Sequence, residues 1–139
     1  MKTTVISALI AALILKVFVF DFMIAQGHSM EPAIKSGTVL LISSLRYGLR
    51  LPWKQGYLIR WAMPKPGEVV VFYTPSGELA VKRCIRLIEN KEFIAEGDNL
   101  LLSYDSRSYG PVLIDNIIGK VLGYDTWEPI VRRDSLDEV

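Results

Sequence analysis

The stretch "EVVVFYTPSGELAVKRCIRLI", residues 68–88, decides the fold class of this 139-residue chain. Two runs rich in valine and isoleucine flank the turn signal "TPSG", which predicts two antiparallel strands, Glu68–Tyr73 and Glu78–Ile88. Similar runs predict three further strands: Thr38–Ser43, Glu92–Gly97 and Ile117–Tyr124. No segment after residue 30 has convincing helical periodicity. We therefore predict a mostly β protein, a small antiparallel β-domain or partly open barrel.

The N-terminal segment is apolar, with Lys16 and Asp21 its only charged residues between positions 3 and 25. A helix from Thr3 to Phe20 would be roughly 27 Å long, close to the thickness of a bilayer core. A cleavable leader fits poorly, because Met23 would stand at position −3 of a cut after residue 25. A buried core helix would be apolar all round, which is unusual in a small domain. A retained transmembrane helix is therefore predicted.

Three segments follow from this interpretation: a transmembrane anchor at 1–24, a β catalytic domain at 25–126 and a polar tail at 127–139. Lys2 and the α-amino group precede the anchor, whereas acidic residues follow it. Positive charge favours the cytoplasmic side of a span. We expect a single-pass protein of the cytoplasmic membrane, with its N-terminus in the cytoplasm and its β-domain on the outer face.

Composition excludes several classes of function. Sixteen Lys and Arg residues oppose 15 Asp and Glu, and half of the chain is hydrophobic. This balance offers no basic surface for nucleic acid, so no nucleic-acid partner is predicted. One cysteine, Cys84, excludes an internal disulfide, and together with a single histidine it argues against a zinc site. We predict no metal and no cofactor, which leaves Ser, Lys, Asp and Glu to carry any chemistry.

Residues 45–67 interleave aromatic and basic side chains between the first two predicted strands. The aromatic residues are Tyr47, Trp53, Tyr57 and Trp61, and the basic ones are Arg46, Arg50, Lys54 and Arg60. Such a mixture suits the interface of a bilayer, where rings and cations lie among lipid headgroups. An ordinary loop with its rings packed on the β-domain is equally compatible, and the sequence leaves both interpretations open.

A candidate nucleophile, Ser29, lies in "GHSMEP", where Gly27 and Pro32 disfavour a helix. A serine hydroxyl needs an adjacent base to react near neutral pH. His28 is its neighbour, but adjacent side chains of an extended chain point in opposite directions. The sequence has no second histidine from which to build a triad. We expect His28 to be a surface or substrate-cleft residue.

A lysine can replace histidine as the base when burial lowers its pKa from the usual value of about 10.4. On the predicted strand Glu78–Ile88, Lys82 shares one face with Ala80 and Cys84, and its other neighbours are mostly apolar. Lys82 is thus the one charged residue on a face predicted to be buried. A lysine on a solvated strand edge is the alternative.

Three segments, taken in order, resemble the sequence boxes of bacterial-type type I signal peptidases, which are membrane serine proteases with a Ser/Lys dyad. They are "SMEPAI" after the apolar N-terminus, "VKR" on a strand, and "GDNLLLSYDSRSYGPV" at 97–112. The resemblance covers nearly the whole chain. It implies Ser29 as nucleophile and Lys82 as general base, on a mostly β fold. The short connection between Lys82 and residue 97 implies a minimal form without the extra subdomain of larger members.

The resemblance also implies supporting residues. Ser103 would orient the lysine, Asp105 and Arg107 would form an ion pair, and Arg83 and Asp98 would form a second one.

Some family members have a serine at the position of Gly27, and its hydroxyl helps to form the oxyanion hole. Here the hole would rest on the backbone at Gly27 and Ser29, chiefly on the N–H of Ser29.

The implied activity is removal of N-terminal signal peptides from exported preproteins, after small residues at positions −1 and −3. Signal peptides and the lipid bilayer would be its partners, and the sequence does not indicate an oligomeric state. Two alternatives stay open: a specialised pilin- or conjugation-type processing peptidase of the same fold, and an inactive membrane-anchored module that binds peptides.

Overall fold

A computed structural model describes residues 1–51 and 53–124. Seven strands form one antiparallel sheet in the order β1-β2-β9-β5-β6-β7-β8, and β3 pairs with β4 in a small second sheet. The strands are β1 Phe20–Ile24, β2 Val39–Ser43, β3 Gly48–Leu49, β4 Ile59–Arg60, β5 Val69–Tyr73, β6 Leu79–Ile88, β7 Glu92–Glu96, β8 Val112–Leu113 and β9 Ile117–Tyr124. The helices are α1 Lys2–Phe18, α2 Ser106–Tyr109 and a 3₁₀ turn, Ile114–Asn116. The prediction of a mostly antiparallel β fold is confirmed.

The five predicted strands correspond to β2, β5, β6, β7 and β9, and each agrees to within one residue at either end. The sequence pattern does not predict β1, β3, β4 or β8. Strands β3, β4 and β8 contain two residues each, which is too short for an alternating pattern to be recognised. Strand β1 is hidden because it continues the apolar N-terminal run.

The N-terminal helix α1 ends at Phe18, two residues before the end expected from the sequence. Residues of β1 then pair with β2, beginning with Phe20 opposite Ser43. This pairing adds β1 to the edge of the sheet, so the segment predicted as an anchor, residues 1–24, contains a helix and an edge strand. Within the described residues, no helix has both the length and the apolar character needed to cross a membrane.

Strand β5 lies in the middle of the sheet and is buried on both faces. Val70 and Phe72 point into one core cluster, and Val69 and Val71 point into the other. This double burial explains the unbroken apolar run in β5, where a half-exposed strand would alternate with polar residues. In the first cluster the rings of Phe72 and Phe93 meet edge to face, with centroids 5.3 Å apart.

The second core cluster holds the segment that follows β1. Ala25, Met30 and Ile34 are buried against residues of β2, β5 and β9. A backbone hydrogen bond of 2.8 Å from the N–H of Ile34 to the carbonyl of Met30 closes the turn between them. The turn that carries Ser29 is therefore anchored on the core on either side.

The aromatic side chains of residues 45–67 fall into two groups, one packed on the β-domain and one exposed. Tyr47 is fully buried, and its hydroxyl donates a 2.5 Å hydrogen bond to Glu68. Tyr57 donates to the carbonyl of Ile117 at 2.8 Å. The tyrosines thus belong to the β-domain. In contrast, Trp53 and Trp61 are 78% and 57% exposed.

Candidate active site

Ser29 lies half-buried in a turn that the chain enters through Gly27. Gly27 has a φ of +81°, a conformation that other residues rarely adopt, which accounts for glycine at this position. The carbonyl of Ser29 accepts a 2.9 Å hydrogen bond from the backbone N–H of Asn99. This bond joins the Ser29 turn to the loop after β7, which lies 70 residues further along the chain.

Lys82 lies in β6 with 6% of its surface exposed, as expected for the face that it shares with fully buried Cys84. Its Nζ donates to Ser103 Oγ at 3.2 Å. Burial lowers the pKa of Lys82, the negative charge of Asp105 opposes this shift, and the positive charge of Arg107 adds to it. The net effect is a pKa below the usual lysine value, so at a given pH a larger fraction of the amine is neutral than for a lysine in water.

A hydrogen-bond network holds Ser103, whose hydroxyl accepts the hydrogen bond from the Lys82 amine, in place. The Ser103 hydroxyl donates to Asp105 Oδ2 at 2.6 Å. Asp105 is completely buried, and Arg107 binds both of its oxygens at 2.9 and 2.8 Å. Burial alone would raise the pKa of Asp105, but hydrogen bonds from Arg107 and Ser103 outweigh it and lower the pKa. Asp105 is therefore held as a carboxylate, which keeps the Ser103 lone pairs turned toward the amine.

Gly97 is the point at which the three segments of the site meet. A Cβ atom at this position would lie 2.2 Å from Ser103 Oγ and 2.4 Å from the carbonyl oxygen of Ser29. Its own N–H donates to Asp105 Oδ2 at 2.9 Å. The sequence marks Gly97 only as part of a turn, because these neighbours are brought to it by the fold.

The Arg83–Asp98 pair lies outside the site. Arg83 follows Lys82 on β6 and points to the other face, where Nε and Nη2 bind the two oxygens of Asp98 at 2.8 and 2.7 Å. Arg83 also donates to the carbonyl of Gly67 at 2.8 Å. The hydrogen bonds that Arg83 donates to Asp98 raise the pKa of Arg83. The pair joins β6 to the loop after β7 and so supports the site from behind.

Ser29 and Lys82 line one cleft of about 570 Å³. Its walls are the end of β1 and the turn after it, the first half of β6, and the segment around Ser103. The lining residues are Met23, Ile24, Ala25, Gln26, Gly27, His28, Ser29, Met30, Ile34, Thr74, Glu78, Leu79, Ala80, Val81, Lys82, Leu102 and Tyr104. Sequence reasoning misses Leu102, Tyr104, Thr74 and Glu78 as cleft residues, since no local pattern marks them.

His28 lies at this cleft with 62% of its side chain exposed, and its Nδ1 is 2.8 Å from Glu31 Oε1. The imidazole is thus paired with a carboxylate at the surface, in agreement with the expectation of a surface or cleft residue. Within the described residues, no group of three or more His, Cys, Asp or Glu side chains is arranged to hold a metal ion.

Known proteins with similar sequences agree on one family. The family model described as "Signal peptidase, peptidase S26" matches residues 1–88. Signal peptidase I of Bacillus caldolyticus is 27% identical over 146 residues, which cover 77% of this chain and 80% of that protein. Signal peptidase I of Haemophilus influenzae is 33% identical over 104 residues, which cover 74% of this chain and 28% of that protein. Mitochondrial inner membrane protease subunit 1 of Xenopus tropicalis is 32% identical over 116 residues, which cover 75% and 68%.

The family match covers well over half of the chain, which therefore belongs to the signal peptidase family, peptidase S26. As a member of this family, the protein is a serine endopeptidase. The roles of the individual residues described above stay predictions.

We expect Gly97→Ala to reduce peptidase activity by about 10²-fold, because the new methyl group would push Ser103 and the Ser29 turn apart. Gly123→Ala is the matched control, since a Cβ at that position meets no atom within 4 Å. Activity is measured on a preprotein, and circular dichroism checks the fold of both variants. Full activity in Gly97→Ala would contradict the requirement for this close approach.

Proposed function

We propose that this protein removes N-terminal signal peptides from exported preproteins, with Ser29 as nucleophile and Lys82 as general base. The observation that carries the proposal is the buried Lys82 amine, which is hydrogen-bonded to Ser103 and lines the same cleft as Ser29. The relatives named signal peptidase I support the substrate class.

The reaction begins when the neutral Lys82 amine takes the proton of the Ser29 hydroxyl, and Ser29 Oγ attacks the carbonyl carbon of substrate residue −1. The backbone N–H of Ser29 stabilises the oxyanion. The tetrahedral intermediate collapses, the peptide bond breaks, and protonated Lys82 gives its proton to the departing amine. Lys82 then takes a proton from a water molecule, which attacks the acyl ester. The bond between the acyl carbon and Ser29 Oγ breaks, Lys82 returns the proton to Ser29 Oγ, and the signal peptide leaves with a free carboxyl group.

The surroundings of Lys82 suit this cycle. A buried amine loses hydration, which favours its neutral form, and the Arg107 guanidinium acts in the same direction. The negative charge of Asp105 raises the pKa of Lys82 and so stabilises the protonated amine, which is the proton donor in the second step. Ser103 holds the amine in one orientation while its own proton is directed to Asp105.

The substrate binds as an additional strand in the cleft. Within the described residues, β1 pairs only with β2. The first half of β6, from Leu79 to Lys82, pairs with β5 on one side, while pairing with β7 begins only at Arg83. Both strands therefore turn a free backbone edge to the cleft, as required for strand addition. Small side chains at positions −1 and −3 contact the apolar part of the wall, which includes the buried residues Met30 and Ile34.

The protein acts at the outer face of the cytoplasmic membrane, held there by its apolar N-terminal helix. The large apolar residues of α1 between positions 5 and 15 are exposed, and Phe22 and Ile24 continue an apolar surface along β1. Exposed Trp53 and Trp61 are suited to lipid headgroups. Confinement to the membrane raises the effective concentration of the enzyme relative to signal peptides.

Ser29→Ala and Lys82→Arg should each reduce preprotein cleavage by at least about 10³-fold, since the first lacks the nucleophile and the second carries a group that does not deprotonate. Ser36→Ala and Lys91→Arg, both exposed and outside the cleft, are the matched controls. Cleavage is followed by gel electrophoresis on several preproteins, which also separates a general enzyme from a specialist. Normal turnover in either active-site variant would refute the dyad.

The pH dependence of kcat/KM should follow the deprotonation of Lys82. Because the pKa of Lys82 is lowered by burial, activity rises with pH at a midpoint below the usual lysine value. Arg107→Gln removes a positive charge that lowers this pKa, so the midpoint moves to higher pH. Arg86→Gln, on the exposed part of β6, should leave the profile unchanged. A midpoint that Arg107→Gln does not move would show that a different group is titrating.

Membrane contact is tested by tryptophan fluorescence in bilayers that contain brominated lipids. Trp53 and Trp61 should be quenched in the full chain, because both side chains are exposed and suit the lipid interface. A Trp53→Phe/Trp61→Phe variant reports the background from Trp127. Fluorescence of the intact chain that lipid bromine does not change would contradict this orientation.

A further inference from the structure

The cleft wall carries, four positions before Lys82, a carboxylate that the proposed reaction does not use. We propose that Glu78 selects substrates by charge at position −5, five residues before the scissile bond, favouring lysine or arginine and disfavouring aspartate or glutamate. This inference rests on the proposed function and names a specificity determinant within it.

Glu78 shares one side of β6 with the catalytic base. Side chains of an extended chain alternate, so residues 78, 80 and 82 point the same way. Lys82 points toward Ser103, and Glu78, Ala80 and Lys82 all line the cleft. The wall therefore presents an acid, a small residue and a base in order toward the scissile bond.

The register follows from the same period. Glu78 directly precedes β6 and lies four positions before Lys82, about 13 Å at roughly 3.3 Å per residue. A substrate strand beside β6 has the same spacing, and its side chains at −1, −3 and −5 share one side. With −1 at the catalytic residues, −3 lies beside Ala80 and −5 beside Glu78. Position −4 points away from this wall.

The β5–β6 turn holds Glu78 in place. The N–H of Thr74 donates to the carbonyl of Glu78 at 2.8 Å, and the N–H of Glu78 donates to Thr74 Oγ1 at 3.1 Å. Thr74 is nearly buried, and its hydroxyl also contacts Ser76 Oγ at 3.0 Å. The backbone that carries the Glu78 carboxylate is thus fixed at the mouth of the cleft, with its side chain free to meet a substrate.

The charge at this end of the cleft is not neutralised. Among the described residues that line the cleft, Glu78 is the only carboxylate, and none of the described salt bridges uses it. The other ionisable lining groups, His28 and Lys82, flank Ser29 at the catalytic end, and Tyr104 lies beside Ser103. A cation at −5 therefore meets an uncompensated negative charge, whereas a second anion is repelled. Because Glu78 is exposed, the effect is modest and depends on salt.

The test measures kcat/KM for four signal-peptide substrates. The reference peptide has Gln at −5, and each of the other three differs from it in one side chain: Lys at −5, Glu at −5, or Lys at −4. For the unmodified enzyme at low ionic strength, we expect Lys at −5 to exceed Glu at −5 by about three- to tenfold. Glu78→Gln should reduce this ratio to near one, and Glu78→Lys should invert it. Glu92→Gln, a carboxylate on β7 outside the cleft, should retain the preference.

The outcomes separate this inference from the reaction on which it rests. Cleavage of all four peptides at equal rates would overturn the role of Glu78 and leave the peptidase intact. An equal preference for Lys at −4 would overturn the register. A ratio that survives Glu78→Gln, or that 0.5 M salt leaves unchanged, would assign the preference to another group. Failure of the enzyme to cleave any signal peptide would overturn both proposals.

Discussion

The burial of the Lys82 amine beside the Ser103 hydroxyl is the constraint on which the site depends. Lys82 reaches Ser103 from the middle of a strand, and Ser103 in turn is held by an aspartate that is completely buried. Burying this carboxylate is favourable only because Arg107, Ser103 and the backbone of Gly97 satisfy its oxygens. The position of the Lys82 amine thus depends on this polar network.

The fold serves this network by holding distant segments at short range. β5, buried on both faces, lies between two core clusters and pairs with the first half of β6, from Leu79 to Arg83. One cluster anchors the turn of Ser29, and the other anchors β7, which leads to Gly97. The cleft is the opening between these packed segments. Its two strand edges, those of β1 and of the first half of β6, have no partner strand among the described residues. We propose that an extended peptide adds to the sheet at this opening.

The relatives differ in how much of their own length this chain matches. The chain covers 80% of the Bacillus caldolyticus signal peptidase but 28% of the Haemophilus influenzae protein. Between β6 and β7 it has only a short turn, with Glu89 and Asn90 in the left-handed conformation. Among the described residues that line the cleft, Glu78 is the one carboxylate.

Local pattern was sufficient to determine five strands, the burial of Lys82 and the family, because alternation and short motifs are properties of neighbouring residues. The β1 strand, the burial of Tyr47 and the role of Gly97 were decided by the tertiary structure alone. Each depends on a partner far along the chain, such as β2 for β1, Glu68 for Tyr47 and Ser103 for Gly97. Contacts of this kind leave no periodic trace in one sequence, since they exist only after the sheet has brought the segments together.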